Sequence, residues 1–238
     1  MSLYRDRGVV LRTVKLGEAD RIVTLFTQVN GRVRAVAKGV RRSGSRFGGR
    51  LEPTSHVAVQ LYRGRELDVV TQVETVDAFR ALREHYGALT HAVSMLEAVD
   101  AVSPERERNA PLYAMLLGAL RTLSTRPSPL VAPAFFWKLL ALEGVQPILD
   151  GCVACGAGAP FAALDLGEGG VRCPRCTSAG GLRSRPAALE TIRRILGGEL
   201  GRVLDDPPEP DVAREVEHLG VAAIEYHLER RLRSAALL

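Results

Sequence analysis

Residues 20–38 read DRIVTLFTQVNGRVRAVAK. Two stretches within it alternate in the manner of half-buried strands: Arg21 to Phe26, and Gly31 to Lys38. Between them Asn30-Gly31 is a hairpin signal, because both residue types tolerate the positive φ that tight turns need. Side chains of a strand repeat every two residues, so Arg32, Arg34 and Lys38 share one face and Val33 and Ala35 the other. Working outward, Val9 and Leu11 mark an earlier strand, and Ser55 to Tyr62 and Leu67 to Val76 mark two later ones, with Arg63-Gly64-Arg65 as the turn between these. Five short strands within residues 1–79 point to a small closed barrel, and an OB-fold is the expected form.

The third of these strands opens a run of cations. From Arg32 to Arg50 there are seven basic residues and no acidic one: Arg32, Arg34, Lys38, Arg41, Arg42, Arg46 and Arg50. The loop GVRRSGSRFGGR carries the last four among glycines and serines, whose small side chains leave backbone amides open to phosphates. Residues 1–79 carry a net charge of +6 and the rest a net of −1, so the positive field belongs to the predicted barrel. Such asymmetry suits a polyanion partner; the plain alternative is a solvated face that serves solubility. Phe47 sits among the charges with two readings open, a base-stacking ring or an anchor buried in a core.

After Phe79 the apolar period lengthens to three or four residues. Leu82, Tyr86, Leu89, Val93 and Leu96 predict one helix ending at Ser103-Pro104, and Leu112, Met115, Leu116, Ala119, Leu120 and Leu123 a second. A third spans Phe135 to Leu142. Later come a short helix over Ala187 to Leu196 and a long one over Val212 to Leu232, separated by Pro207-Pro208.

Between the third and fourth helices lie all the cysteines of the chain, Cys152, Cys155, Cys173 and Cys176, as two C-x2-C pairs separated by 17 residues. Each pair can curl both sulfurs onto one cation, and two pairs close a tetrahedral thiolate shell suited to one structural Zn2+. Gly156 permits the tight turn after Cys155, and Pro174 stiffens the second turn. Phe161 to Leu166 and Val171-Arg172 read as strands around a turn at Gly167 to Gly170, a ribbon-like layout. A redox pair or two disulfides is the competing reading. The expected organisation is therefore α+β and multidomain: an OB-fold nucleic-acid-binding domain at 1–79, a helical domain at 80–150 and 183–238, and a four-cysteine zinc-ribbon-like module at 151–182.

Several function classes lack support. The five histidines have no metal or catalytic spacing, no Walker-type phosphate loop is present, and no serine stands in a nucleophile elbow. No apolar run approaches a membrane span, and the opening MSLYRDRGVV is too charged for a signal peptide, so a cytoplasmic, non-membrane protein without catalytic residues is expected. In that compartment thiols favour metal over disulfide.

Three stretches resemble the RecO family of bacterial DNA repair and recombination mediators: EADRIVTLFTQVNGRVRAVAKGVRRSGSRFGGRLEP, FFWKLLALEGVQPILDGC, and CVACG with CPRC following it. Their order spans nearly the whole chain. The resemblance implies an N-terminal OB domain, binding of single- and double-stranded DNA, and annealing of complementary strands. It also implies partnership with RecR and contact between the helical domain and the C-terminal tail of single-strand-binding protein (SSB). Together these load RecA onto coated strands, in a nucleoid-associated setting. It carries DNA binding to Lys38, Arg41, Arg42, Arg46 and Arg50, more weakly to Arg32 and Arg34, and metal ligation to the four cysteines. Some members lack those cysteines, which implies a structural metal. Arg193 and Arg194 on a late helix are a further possible extension of the DNA path. The rival readings are a zinc-ribbon transcription or RNA-binding factor, and a protein-interaction scaffold whose basic face docks an acidic tail.

Overall fold

The computed structural model describes residues 2–45 and 47–234. It divides into two compact units, the first running through Arg126 and the second beginning at Pro127. In the first, β1 (Leu3–Leu16), β2 (Asp20–Thr27), β3 (Gly31–Ala37), β4 (His56–Tyr62) and β5 (Asp68–Asp77) form a closed barrel in the order β1-β2-β3-β5-β4. The order is that of an OB-fold, as expected. β1 is far longer than the Val9–Leu11 signal, because it serves two neighbours. Its first half pairs with β4 and its second half with β2, with a bulge between Val10 and Arg12 where it bends from one to the other. The ring closes where β5 runs parallel to β3, Asp68 beside Ala35 and Val69 beside Val36.

The inward row is small and β-branched: Val10, Val23, Val33, Ala35, Ala37, Val57, Val59 and Val70, with Leu25 and Leu61. It leaves room that the β3–β4 connection fills. Phe47, which precedes a 3₁₀ turn at Gly48–Leu51, and Leu51, which ends it, enter this core, and Phe47 is 1% exposed. The ring is thus an anchor for the basic loop, contributing about 2–3 kcal/mol by burial, and is withdrawn from any base.

The same unit carries α1 (Arg80–Glu84), α2 (Tyr86–Val102) and α3 (Ala110–Thr125). One continuous first helix was expected. The chain instead breaks at His85, whose extended backbone (φ −123°, ψ 109°) separates α1 from α2. α3 begins as its residues dictate: Asn109 accepts a hydrogen bond from the Leu112 amide, and Pro111 lies in the first turn. These helices lie on one part of the barrel wall. Tyr113 meets Phe26 and takes part in a 2.9 Å hydrogen bond with His56, whose burial holds its pKa below the ordinary value. The α2–α3 connection joins β3 as a short bridge between Glu105 and Arg32. Gly31 admits it: a Cβ there would lie 1.8 Å from the Glu107 carbonyl oxygen, and its φ of +63° disfavours other residues as well.

A buried polar cluster closes this contact. Asp68, with no exposure, accepts hydrogen bonds from Arg106 (2.7 Å), the Gly64 amide (3.0 Å) and the Tyr4 hydroxyl. Burial alone would raise the carboxyl; the donors from Arg106, Tyr4 and Gly64 overcome it and hold Asp68 below the usual carboxylate range. A folded-state pKa below the unfolded one means that protons bind the unfolded chain better. The stabilisation is then complete above the unfolded value near 4 and is lost as pH falls through the folded value. Asp68→Ala is expected to lower stability by about 3–5 kcal/mol near neutral pH, since it leaves Arg106 without its anion. It should also flatten the acid limb of stability against pH. Urea titrations across that limb check both.

The second unit centres on α4 (Val131–Leu142), which is buried on nearly every side through Phe135, Phe136, Trp137 and Leu139. α5 (Pro186–Leu196) and α7 (Pro210–His227) pack on it, and α6 (Leu200–Asp205) packs on α5. Gly220 lets α7 approach α4, because a Cβ there would lie 2.9 Å from Pro133 Cβ. α6 was not expected. α7 stops at His227 rather than reaching Leu232: Glu229 adopts φ +52°, and the amides of Glu229 and Arg230 turn back to the carbonyls of Tyr226 and Glu225. A small sheet of β6 (Ala163–Asp165), β7 (Gly170–Arg172) and β8 (Leu182–Arg183), in the order β7-β6-β8, follows the first cysteine pair. No helix among the described residues is long and apolar enough to cross a membrane.

Candidate nucleic-acid interface and cysteine centre

The basic residues of the barrel meet different fates. Arg32 and Arg34 point outward from β3, as the alternation predicts. Arg32 is then engaged: its Nη1 lies 3.1 Å from Asp100 of α2, which also binds Arg12 at 2.6 Å. Arg34, one rung nearer the end of the strand, is half-buried, and its Nε has no hydrogen-bond partner. Lys38 begins the turn after β3 and is exposed. Arg41, Arg42 and Arg50 are also exposed, and Arg46 lies outside the described residues.

The loop holding these cations is tied to the β1–β2 turn. The Gly39 amide donates to Asp20 (2.7 Å), and the Arg41 amide to the Ala19 carbonyl (2.9 Å). The Arg41 guanidinium donates to the carbonyls of Gly17 and Glu18. With Phe47 sunk in the core at its other end, the loop is held at both ends against the barrel. Arg41 therefore builds the surface as well as charging it, whereas the side chains of Lys38 and Arg42 have no ion pair among the described residues. Lys15, exposed and directly across from Arg21 in the β1–β2 ladder, adds a cation that sequence reading missed. Its strand was legible only at Val9 and Leu11, so its place beside the loop was not.

Arg193 and Arg194, in the second unit, are both paired, Arg193 with Glu190 at 2.5 Å and Arg194 with Glu199 at 3.6 Å.

The four cysteines converge, with all four Sγ atoms within 4.8 Å of one another. Two tight turns bring this about. The Gly156 amide returns to the Cys152 carbonyl (2.8 Å), with Gly156 at φ +72°, and the Cys176 amide returns to Cys173 (2.9 Å). Cys155 Sγ and Cys173 Sγ are 3.7 Å apart. That is far beyond the roughly 2.05 Å of a disulfide. It matches the edge of about 3.8 Å of a tetrahedron built on Zn–S bonds of about 2.3 Å. The sulfur environment favours thiolate at two positions. The Cys173 amide, followed by the Ala154 and Cys155 amides, lowers Cys152 to about 6. At Cys173 burial opposes ionisation, but donors from Cys176 and the Arg175 amide prevail and lower it. Cys176, donating to Cys155 and Cys173, is pushed up to about 12. A divalent cation removes that conflict by taking the place of the shared protons.

Around the sulfurs the module is stiff. Arg172 Nε lies 2.6 Å from Asp165 Oδ2, and Asp165 Oδ1 caps the β6–β7 turn by accepting from the Gly167 and Glu168 amides. Gly170 packs so closely under Ile148 and Val153 that a Cβ would fall 2.6 Å from each.

Comparison with known proteins covers both units. Residues 1–79 match the family model described as Recombination protein O N terminal, and residues 83–236 match Recombination protein O C terminal. A protein described as DNA repair protein RecO, from Thermobifida fusca (strain YX), is 43% identical over 242 residues, covering 100% of this chain and 99% of that protein.

Proposed function

This chain belongs to the RecO family of DNA repair proteins, and from that premise we propose that it is a recombination mediator that binds DNA through its barrel. It takes single- and double-stranded DNA, anneals complementary strands and, with RecR, promotes RecA loading onto SSB-coated single strands in the cytoplasm. The observation that carries this reading is the basic loop, fastened at Phe47 and at the β1–β2 turn so that Lys38, Arg41, Arg42 and Arg50 stand exposed together. Arg34 flanks them from the strand, and Arg32 secures α2 at the margin.

Two strands repel each other through their phosphates. A surface that replaces their counterions with arginine and lysine lowers that repulsion and releases salt ions on binding. No covalent bond is made or broken, so the activity needs no catalytic residue. The cysteine centre enters as a structural site: Cys152, Cys155, Cys173 and Cys176 would hold one Zn2+, which supplies folding free energy to the ribbon.

An annealing assay with complementary oligonucleotides, bare and SSB-coated, at two salt concentrations tests the reading. Acceleration of both, weaker at the higher salt, is expected. Absence of acceleration of bare strands at low salt would overturn it.

A further inference from the structure

The loop cations account for phosphates, but the barrel also offers something to bases. Residues directly opposite in a ladder point to the same face, and six outward apolar residues fall on one rung. Val14 faces Ile22, Ile22 faces Val36, Val36 lies beside Val69, Val69 faces Tyr62, and Tyr62 faces Leu3. None is in the inner core. Val14, Tyr62 and Leu3 are 47%, 39% and 56% exposed, and Ile22, Val36 and Val69 are half-buried. The next rung toward the helices carries Arg34 and, already ion-paired with Asp100, Arg12, with Thr24 between them. On the other side stand Lys38 and the basic loop. The result is an apolar stripe with cations along both margins, the pattern that suits an unpaired strand with its bases on the wall and its phosphates at the edges.

We propose that this rung is a base-contacting track for single-stranded DNA, and that Tyr62 is its stacking platform. With Phe26, Phe47 and Phe79 buried and Tyr4 half-buried, Tyr62 is the exposed aromatic of the described barrel. It closes β4 about two strand spacings, roughly 10 Å, from Val36. The turn that follows is rigid: Gly64 bonds to buried Asp68, and the Arg63 guanidinium lies 5.4 Å from the Tyr4 ring centre and reaches Asn30. Exposed Arg65 offers a phosphate contact beside the ring, with Glu66 next to it setting a limit on how closely a backbone can approach. A duplex keeps its bases stacked inward and cannot use the track, so Tyr62 bears on single strands alone.

This inference rests on the reading that the barrel binds DNA, and the test separates the two. Affinities for an oligothymidylate and for a duplex are measured by fluorescence anisotropy for the full chain, Tyr62→Ala and Tyr62→Phe. Tyr62→Ala is expected to lose roughly five- to a hundredfold in single-strand affinity, with duplex affinity and the salt slope unchanged; Tyr62→Phe should retain binding. A Tyr62→Ala protein that binds the oligothymidylate as well as the parent overturns the track and leaves the loop standing. A parent chain that binds neither DNA overturns both.

Discussion

Replacing Lys38 and Arg42 together with glutamate is expected to weaken single-stranded DNA binding by on the order of a hundredfold at low salt, and duplex binding by a similar factor. Neither side chain has an ion pair among the described residues, and both are exposed, so the fold should be untouched and the melting temperature unchanged. Arg41 is the poorer choice for this test, because its guanidinium also fastens the loop to the carbonyls of Gly17 and Glu18. With about five phosphate contacts, the parent should show a log–log salt slope near −3.5 on single strands, and the double variant should lose about 1.4 of it. Anisotropy titrations at several salt concentrations give both quantities. An unchanged slope in the double variant would place the contacts elsewhere.

The second large effect concerns the cysteines. Cys173→Ser is expected to abolish metal binding and to unfold the ribbon between Ile148 and Ser184, because in such sites metal affinity is folding free energy, about 10–16 kcal/mol in zinc-finger peptides. Cys173 is buried, and its donors already favour the thiolate. Elemental analysis of the parent, purified without chelator, should give one zinc per chain, and the variant none. Limited proteolysis should then cut the variant within the module. A parent chain without zinc, and with the module equally resistant in the variant, would remove the metal from the account.

Much of this was legible in residue order, for reasons that differ by element. The cysteine centre was readable because its geometry is local: two C-x2-C turns and one small glycine set the sulfurs, and a short sheet brings the turns together. The barrel was readable because β3 alternates without interruption and Asn30-Gly31 marks its hairpin. The basic loop's composition showed where the charge lies, yet the role of Phe47 could not be read from it. A ring flanked by arginines looks available to a base, and the core it enters is assembled from residues of all five strands. Arg32 was obscure for a similar reason, since Asp100 lies 68 positions away. The break at His85, the short α6 and the early end of α7 depend on single backbone angles and carbonyl caps, which apolar periodicity does not record. The apolar rung that includes Tyr62 was hidden because it assembles one residue or two from each of five strands, and only the registers align them.

The central claim is that the barrel, through the loop after β3 and the wall beside it, holds DNA. Hydrogen–deuterium exchange of the full chain with and without a saturating single-stranded oligonucleotide tests it most directly. The account predicts protection concentrated in residues 14–22, 34–51 and 62–69. Protection confined to the cysteine module, with none in the barrel, would contradict it.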